Sequence, residues 1–170
     1  MPDDTVVTIV AYEDRHAGDF KRLNRAWLDG FGLYEEADGK QLDAPREAII
    51  DTGGEIHIAV RGERVVGTCA LVRMSPDMFE VAKLSVDVGA RGDGLGRRLT
   101  QHAIDRARAL GATRVALVSS TKLTTALALY VRMGFARMPL PAHLPYTTAD
   151  VYMELELGEA SDSGDARAGE

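Results

Sequence analysis

Cysteine is almost absent. Cys69 is the only one in 170 residues. A single thiol excludes an intramolecular disulfide, and no Cys/His spacing of a zinc site exists, so no metal is expected. Cys69 lies in an apolar, β-rich run and reads as a small buried hydrophobe. No stretch reaches the roughly 18 apolar residues that a membrane span needs, so no membrane is expected. A basic segment leading into an apolar core is also missing from the N-terminus, so no secretory leader is expected and the compartment reads as cytoplasmic. The net charge of −6 argues against nucleic acid or an anionic membrane surface as partner. Two phosphate-binding patterns fail as well. No Walker lysine follows the glycines. Counting G-x-G-x-x-G from Gly92 and Gly94, the third glycine is due where Arg97 stands, and no acidic residue follows about 20 positions on. No internal repeat is visible.

What remains is an ordinary globular composition, 45% hydrophobic and 27% charged, sized for one domain with a sizeable core. That domain is expected over residues 1–157, followed by a disordered tail over 158–170 made of Gly, Ala, Ser, Asp and Glu. Alternation predicts strands over Thr5 to Tyr12, Ile56 to Arg61, Arg64 to Arg73, Met78 to Val88, Arg114 to Ser119, Phe135 to Met138 and Asp150 to Leu157. Gly62-Glu63 reads as a tight hairpin. Helices are predicted from an Asp14 cap to Leu28, with Phe20, Leu23, Ala26 and Trp27 inward, and from Pro45 through Ile50. Two more run from Leu95 to a stop at Gly111, and from a Thr124 or Thr125 cap to Gly134. Phe31 to Lys40 reads as an acidic loop. The class is a mixed α/β (α+β) sheet of about seven strands with four helices.

The chain is organised around residues 83–98. A strand runs into Arg91-Gly92-Asp93-Gly94-Leu95-Gly96-Arg97, a turn with little side-chain bulk, and then into a helix. Such a turn exposes backbone N–H groups that the helix cannot use, and the positive end of the helix dipole favours an anion there. The plainer alternative is a tight strand-to-helix turn without a ligand.

The pattern [Arg/Gln]-x-x-Gly-x-[Gly/Ala], met by Arg91 to Gly96, resembles the acyl-coenzyme A signature of the GNAT N-acetyltransferase superfamily. Ala126-Leu127-Ala128-Leu129-Tyr130-Val131-Arg132-Met133-Gly134-Phe135 is similar to that family's A-x-x-L-Y-x-x-x-G-F segment, and the order of elements matches throughout. The resemblance implies the GNAT acyltransferase fold with splayed central strands, acetyl-CoA as co-substrate, and transfer of acetyl to a primary amine by direct attack in a ternary complex. It implies that Arg91, Gly92, Asp93, Gly94, Leu95, Gly96 and Arg97 hold the pyrophosphate. Free backbone groups of Leu84, Ser85 and Val86, at a bulge, would pair with the pantetheine arm. Tyr130 would protonate the leaving thiolate; taken alone it is core, at helical spacing with Ala126 and Met133. Leu123 stands where many members carry an asparagine, so any coenzyme contact made by that amide is absent or displaced.

Glu80 is the candidate base. In a regular strand it shares an otherwise apolar face with Ala82, Leu84 and Val86, which would raise its pKa; an exposed, inert strand start is the alternative. Trp27, Phe31, Tyr34, Glu35, Glu36, Asp38 and Arg46 mix aromatics with charge where the family meets its acceptor. Trp27, Tyr34, Glu36 and Ser119 are the candidate substrate contacts, against a plainer reading of a solvated loop beside a core Trp27. His57 reads as a strand residue, and His102 has no evident partner. His143 and Tyr146, in a proline-rich loop, would line the acceptor site or be exposed. The alternating last strand is suited to pairing across a homodimer. A non-catalytic acyl-CoA sensor or interaction module on the same fold is the alternative function.

Overall fold

Short alternating segments become strands and 3.6-residue stripes become helices, in the expected order but with one helix added. The computed structural model describes residues 6–158. The strands are β1 (Val7–Ala11), β2 (Glu55–Arg61), β3 (Arg64–Ser75), β4 (Met78–Val86), β5 (Arg114–Ser119), β6 (Ala136–Met138) and β7 (Val151–Glu156). The helices are α1 (Ala17–Gly30), α2 (Glu36–Asp43), α3 (Leu95–Ala109) and α4 (Thr124–Arg132). The expected strand start at Thr5 and all but the first residue of the expected tail lie outside the described residues.

One sheet runs in the order β1-β2-β3-β4-β5-β7-β6. β1 to β4 are an antiparallel meander. α3 then carries the chain to β5, which is parallel to β4. β7 lies between β5 and β6, antiparallel to both. The expected dimer pairing through the last strand therefore has no free edge to use. β1 and β6 are the sheet edges.

A core covers each face. Leu95, Leu99, Ala103, Ile104 and Ala107 of α3 pack with Cys69, Leu71, Phe79, Val81, Val115, Leu117 and Met153. Phe20 and Leu23 of α1 and Leu42 of α2 pack with Ile56, Ile58, Val65 and Ala70 on the other face. Gly67 lets α3 sit close, because a Cβ there would lie 2.9 Å from Leu99 Cδ1. Cys69 is fully buried, and burial pushes its thiol up to about 12. Among the described residues no helix is long and apolar enough to cross a membrane.

Several local expectations are corrected. The acidic loop contains α2, started by a capping box in which Asp38 Oδ2 accepts the Glu35 N–H at 2.9 Å. Gly39 is tolerated inside it because the Tyr34 hydroxyl fills the space, 2.7 Å from where its Cβ would be. The expected Pro45–Ile50 helix is one π-type turn, Arg46–Ile50. Glu13 with His16, rather than Asp14, caps the short turn that leads into α1, and Asp14 pairs with Arg46 at 2.6 Å. Leu123 takes the N-cap position of α4, and neither threonine caps it. Ala26 is exposed, while the polar Asn24 is buried.

Candidate active site

β4 starts as a regular strand and does not stay one. Thr68 of β3 lies opposite Ser85, but Ala70 lies opposite Ala82. Lys83 and Leu84 together therefore face Cys69, which is a β-bulge. Lys83 has φ 51°, a left-handed conformation that is costly for a side chain of its size. It is fixed from several directions. Its carbonyl accepts the Thr68 hydroxyl at 2.8 Å, and that hydroxyl oxygen accepts Asn24 Nδ2 at 2.9 Å. Its ammonium meets Asp38 Oδ1 at 2.5 Å, with the two side chains only 7% and 4% exposed. This explains the buried Asn24, since α1 uses it to hold the bulge.

The bulge overturns the expected shared face. Leu84 and Val86 pack into the α3-side core. Ser85 joins Glu80 and Ala82 on the opposite face, where its hydroxyl donates to the Leu23 carbonyl at 3.0 Å. A bulge also bends its strand. β4 pairs with β5 only over Met78–Glu80, against Arg114–Ala116. Beyond that the parallel strands part, and a cavity opens between them. Glu80, Lys83 and Leu84 line one side, Val118, Ser119 and Ser120 the other, with Tyr130 of α4, Trp27 of α1, Asp38 and Tyr146 completing it.

Burial drives the protonation states here. Glu80 is held above the ordinary carboxylate range by desolvation, with Lys83 pulling the other way. Among the described residues its carboxylate has no ion-pair or hydrogen-bond partner in the protein. Tyr130 is 8% exposed. Burial raises its phenol well above 10 and the neighbouring Cys69 adds to this, so it keeps its proton at any physiological pH. Its ring packs edge-on against Phe135 at 5.8 Å.

The glycine turn lies at the start of α3. Gly92 and Gly94 have φ of 94° and 76°, and a Cβ at either would meet open space. The first helical bond is Arg98 N–H to the Gly94 carbonyl at 3.0 Å, and no side chain caps the helix. The N–H groups of Leu95, Gly96 and Arg97 have no acceptor among the described residues, while Leu95's side chain is buried in the core. Arg91, Asp93 and Arg97 are exposed around them, with Arg91 Nε donating to the Val86 carbonyl at 3.1 Å. Open space at both glycines and an unfilled row of donors fit a diphosphate. α4 ties this turn to the cavity: Leu129 lies 3.9 Å from where a Gly96 Cβ would be, and its neighbour Tyr130 lines the cavity.

The structure thus brings Glu80, Tyr130, Leu84, Ser119 and Trp27 to one cavity. It does not bring Tyr34 or Glu36 there. Tyr34 packs under the Arg25 guanidinium at 3.5 Å and against α2, and Glu36 is exposed at the start of α2. The Ser85 hydroxyl is taken up by the Leu23 carbonyl and the Val86 side chain by the core, while the β5-facing backbone edge of β4, where the pantetheine contacts are expected, is unpaired with β5 beyond Glu80. Of the loop pair, Tyr146 lines the cavity and His143 is exposed. His57 is buried and does have a histidine neighbour, His102, edge-on at 4.6 Å; neither lines the cavity. Sequence reasoning missed Lys83 and Asn24. A polar residue on the apolar side of α1 was the only available sign.

A mixed sheet parted between two parallel strands, with an uncapped helix start after the first of them, is the fold of the GNAT acetyltransferases. An acetyltransferase of the GNAT family from Staphylococcus aureus Mu50 superposes with a TM-score of 0.81 at 20% identity, covering 89% of this chain and 99% of that one. YncA from Salmonella typhimurium, solved with its cofactor acetyl-CoA, gives 0.70 at 22% identity, covering 91% and 95%. The chain belongs to the acetyltransferase (GNAT) family, whose model matches residues 19–135. Among its relatives, the IAA acetyltransferase of Azospirillum brasilense is 31% identical over 134 residues, 78% of each protein. The mycothiol acetyltransferase of Beutenbergia cavernae is 45% identical over 67 residues. That match covers 39% of this chain and only 22% of the relative's length.

Proposed function

We propose that the protein transfers the acetyl group of acetyl-CoA to the nitrogen of a primary amine, by direct attack in a ternary complex. One observation carries this reading: an unpaired carboxyl with a raised pKa and a phenol that stays protonated line the same cavity, at the parting of β4 and β5. The donors of Leu95, Gly96 and Arg97 and the open sides of Gly92 and Gly94 hold the diphosphate of acetyl-CoA. The acceptor enters as an ammonium. Glu80 takes one of its protons, as a base whose pKa lies closer to neutrality than an exposed carboxylate's. The freed nitrogen attacks the thioester carbon, and the carbonyl oxygen becomes an oxyanion. As the intermediate collapses, the C–S bond breaks and Tyr130 gives its proton to the departing sulfur. The second nitrogen proton and the one held by Glu80 leave to solvent, Tyr130 is reprotonated from solvent, and the products are an amide, CoA and one proton. The family and the acetyltransferase relatives support the donor, and the cavity chemistry supports the acceptor.

The test is CoA release from acetyl-CoA across a panel of primary amines. Tyr130→Phe should lower kcat about 10²-fold, the scale of one lost proton donor, with the KM for acetyl-CoA nearly unchanged. Unchanged turnover would remove Tyr130 from the mechanism. Tight acetyl-CoA binding with no turnover of any amine would leave the protein a binding module.

A further inference from the structure

The cavity contains more ionisable chemistry than the transfer uses, and the way that chemistry is paired bears on the acceptor. Its charged side chains are Asp38, Glu80 and Lys83. Lys83 and Asp38 neutralise each other at 2.5 Å, both nearly buried. Asp38's other oxygen is occupied by the Glu35 N–H at 2.9 Å, and the Lys83 ammonium lies 5.4 Å from the centre of the Tyr146 ring. Neither charge of this pair is available to a ligand. Glu80 is left as the single unpaired charge; Trp27, Leu28, Leu33 and Tyr146 are part of the cavity's lining, which also holds uncharged groups such as Ser119 and Thr148.

Resting on the proposed amine acetylation, we propose that the acceptor is a monoamine with an aromatic or branched apolar body and no carboxylate or phosphate of its own. One ammonium offsets Glu80, and the apolar body covers the aromatic and leucine walls. An acceptor carboxylate would be desolvated beside Glu80 with no free cation among the cavity's described residues to meet it. A charge buried without a partner is strongly disfavoured. A second ammonium would be stranded in the same way, because Asp38 is already committed to Lys83.

Matched acceptors test this on the wild-type protein: 2-phenylethylamine, phenylalaninamide and phenylalanine, then butylamine and 1,4-diaminobutane. CoA release gives kcat/KM for each, referred to the ammonium form that pairs with Glu80. Phenylalaninamide has nearly the size and shape of phenylalanine without its charge, so it separates electrostatics from fit. The amine and the amide should exceed phenylalanine by about tenfold or more, and butylamine should exceed 1,4-diaminobutane per amino group. Phenylalanine at parity with its amide, or the diamine ahead of butylamine, overturns the assignment of acceptor class while leaving acetyl transfer to amines intact. No CoA release with any of the five, despite acetyl-CoA binding, counts against amine acetylation itself and takes this assignment with it.

Discussion

At the scale of a single residue, Glu80 is the cavity's unpaired carboxyl and the proposed base. Desolvation holds its folded-state pKa above the unfolded value, and Lys83 only partly opposes this. The folded protein therefore binds that proton more tightly than the unfolded chain. Glu80 favours the fold at low pH, and its contribution is lost as pH rises through the folded pKa. Glu80→Gln removes this titration. Its Tm should match wild type in acid and exceed it increasingly as pH rises, while kcat/KM at pH 7 falls about 10²-fold and loses its acidic limb. A variant less stable than wild type at pH 8 would contradict the desolvated-carboxyl picture. That Glu80 and Tyr130 line one cavity was partly legible in the sequence, Glu80 as a carboxylate in an apolar strand and Tyr130 only through the family resemblance of its segment. Lys83 was not. A lysine within a strand suggests an outward-facing, solvated side chain, and nothing local announces a left-handed backbone or an ion partner 45 positions away.

The decisive unit at the scale of elements is the pair α1 and β4. Strand boundaries were legible to within a few residues, because alternation and turn residues are local signals. The bulge was not, because it depends on a Thr68 hydroxyl in the neighbouring strand and an Asn24 amide on a helix. That explains why the expected face of Glu80, Ala82, Leu84 and Val86 was only half right. α2 was missed for a related reason, since Gly39 looks like a loop residue until the Tyr34 hydroxyl is seen in its place. Thr68→Val keeps the shape of this link and removes its polarity. It leaves the Lys83 carbonyl and Asn24 Nδ2 short of a partner in a buried place. The expected cost is about 1–3 kcal/mol, read as a lower urea midpoint with an unchanged m-value, together with a weaker response of the protein to acetyl-CoA.

At the scale of the whole molecule, the Glu35 carboxylate ties the N-terminal half to the segment before the last strand, beside the Lys83–Tyr146 contact. Glu35 accepts from the backbone N–H and hydroxyl of both Thr147 and Thr148, at 2.6–3.2 Å. Partial burial pushes its pKa up, but these four bonds outweigh it and hold the carboxyl at about 2. The depressed value means that the bonds stabilise the fold above the unfolded pKa and are lost as pH falls through about 2, so the link persists through mildly acidic conditions. Glu35→Ala should leave the sheet intact but free Tyr146. Faster hydrogen exchange over residues 144–149 and a raised KM for the acceptor, with that for acetyl-CoA nearly constant, are the expected signs. This long-range tie had no signature in the sequence, where Glu35 was one acid among several.

The extra residue in β4 has a consequence for how such a pocket arises. Between Thr68 and Ala70 the neighbouring strand advances two positions, while β4 takes three to go from Ser85 back to Ala82. Excising Lys83 would bring the two counts level, restoring a plain pleat with nothing to bend the strand away from β5. On this account one surplus amino acid favours the cleft over a continuous sheet, and loss of a single codon is the mutational step expected to narrow it.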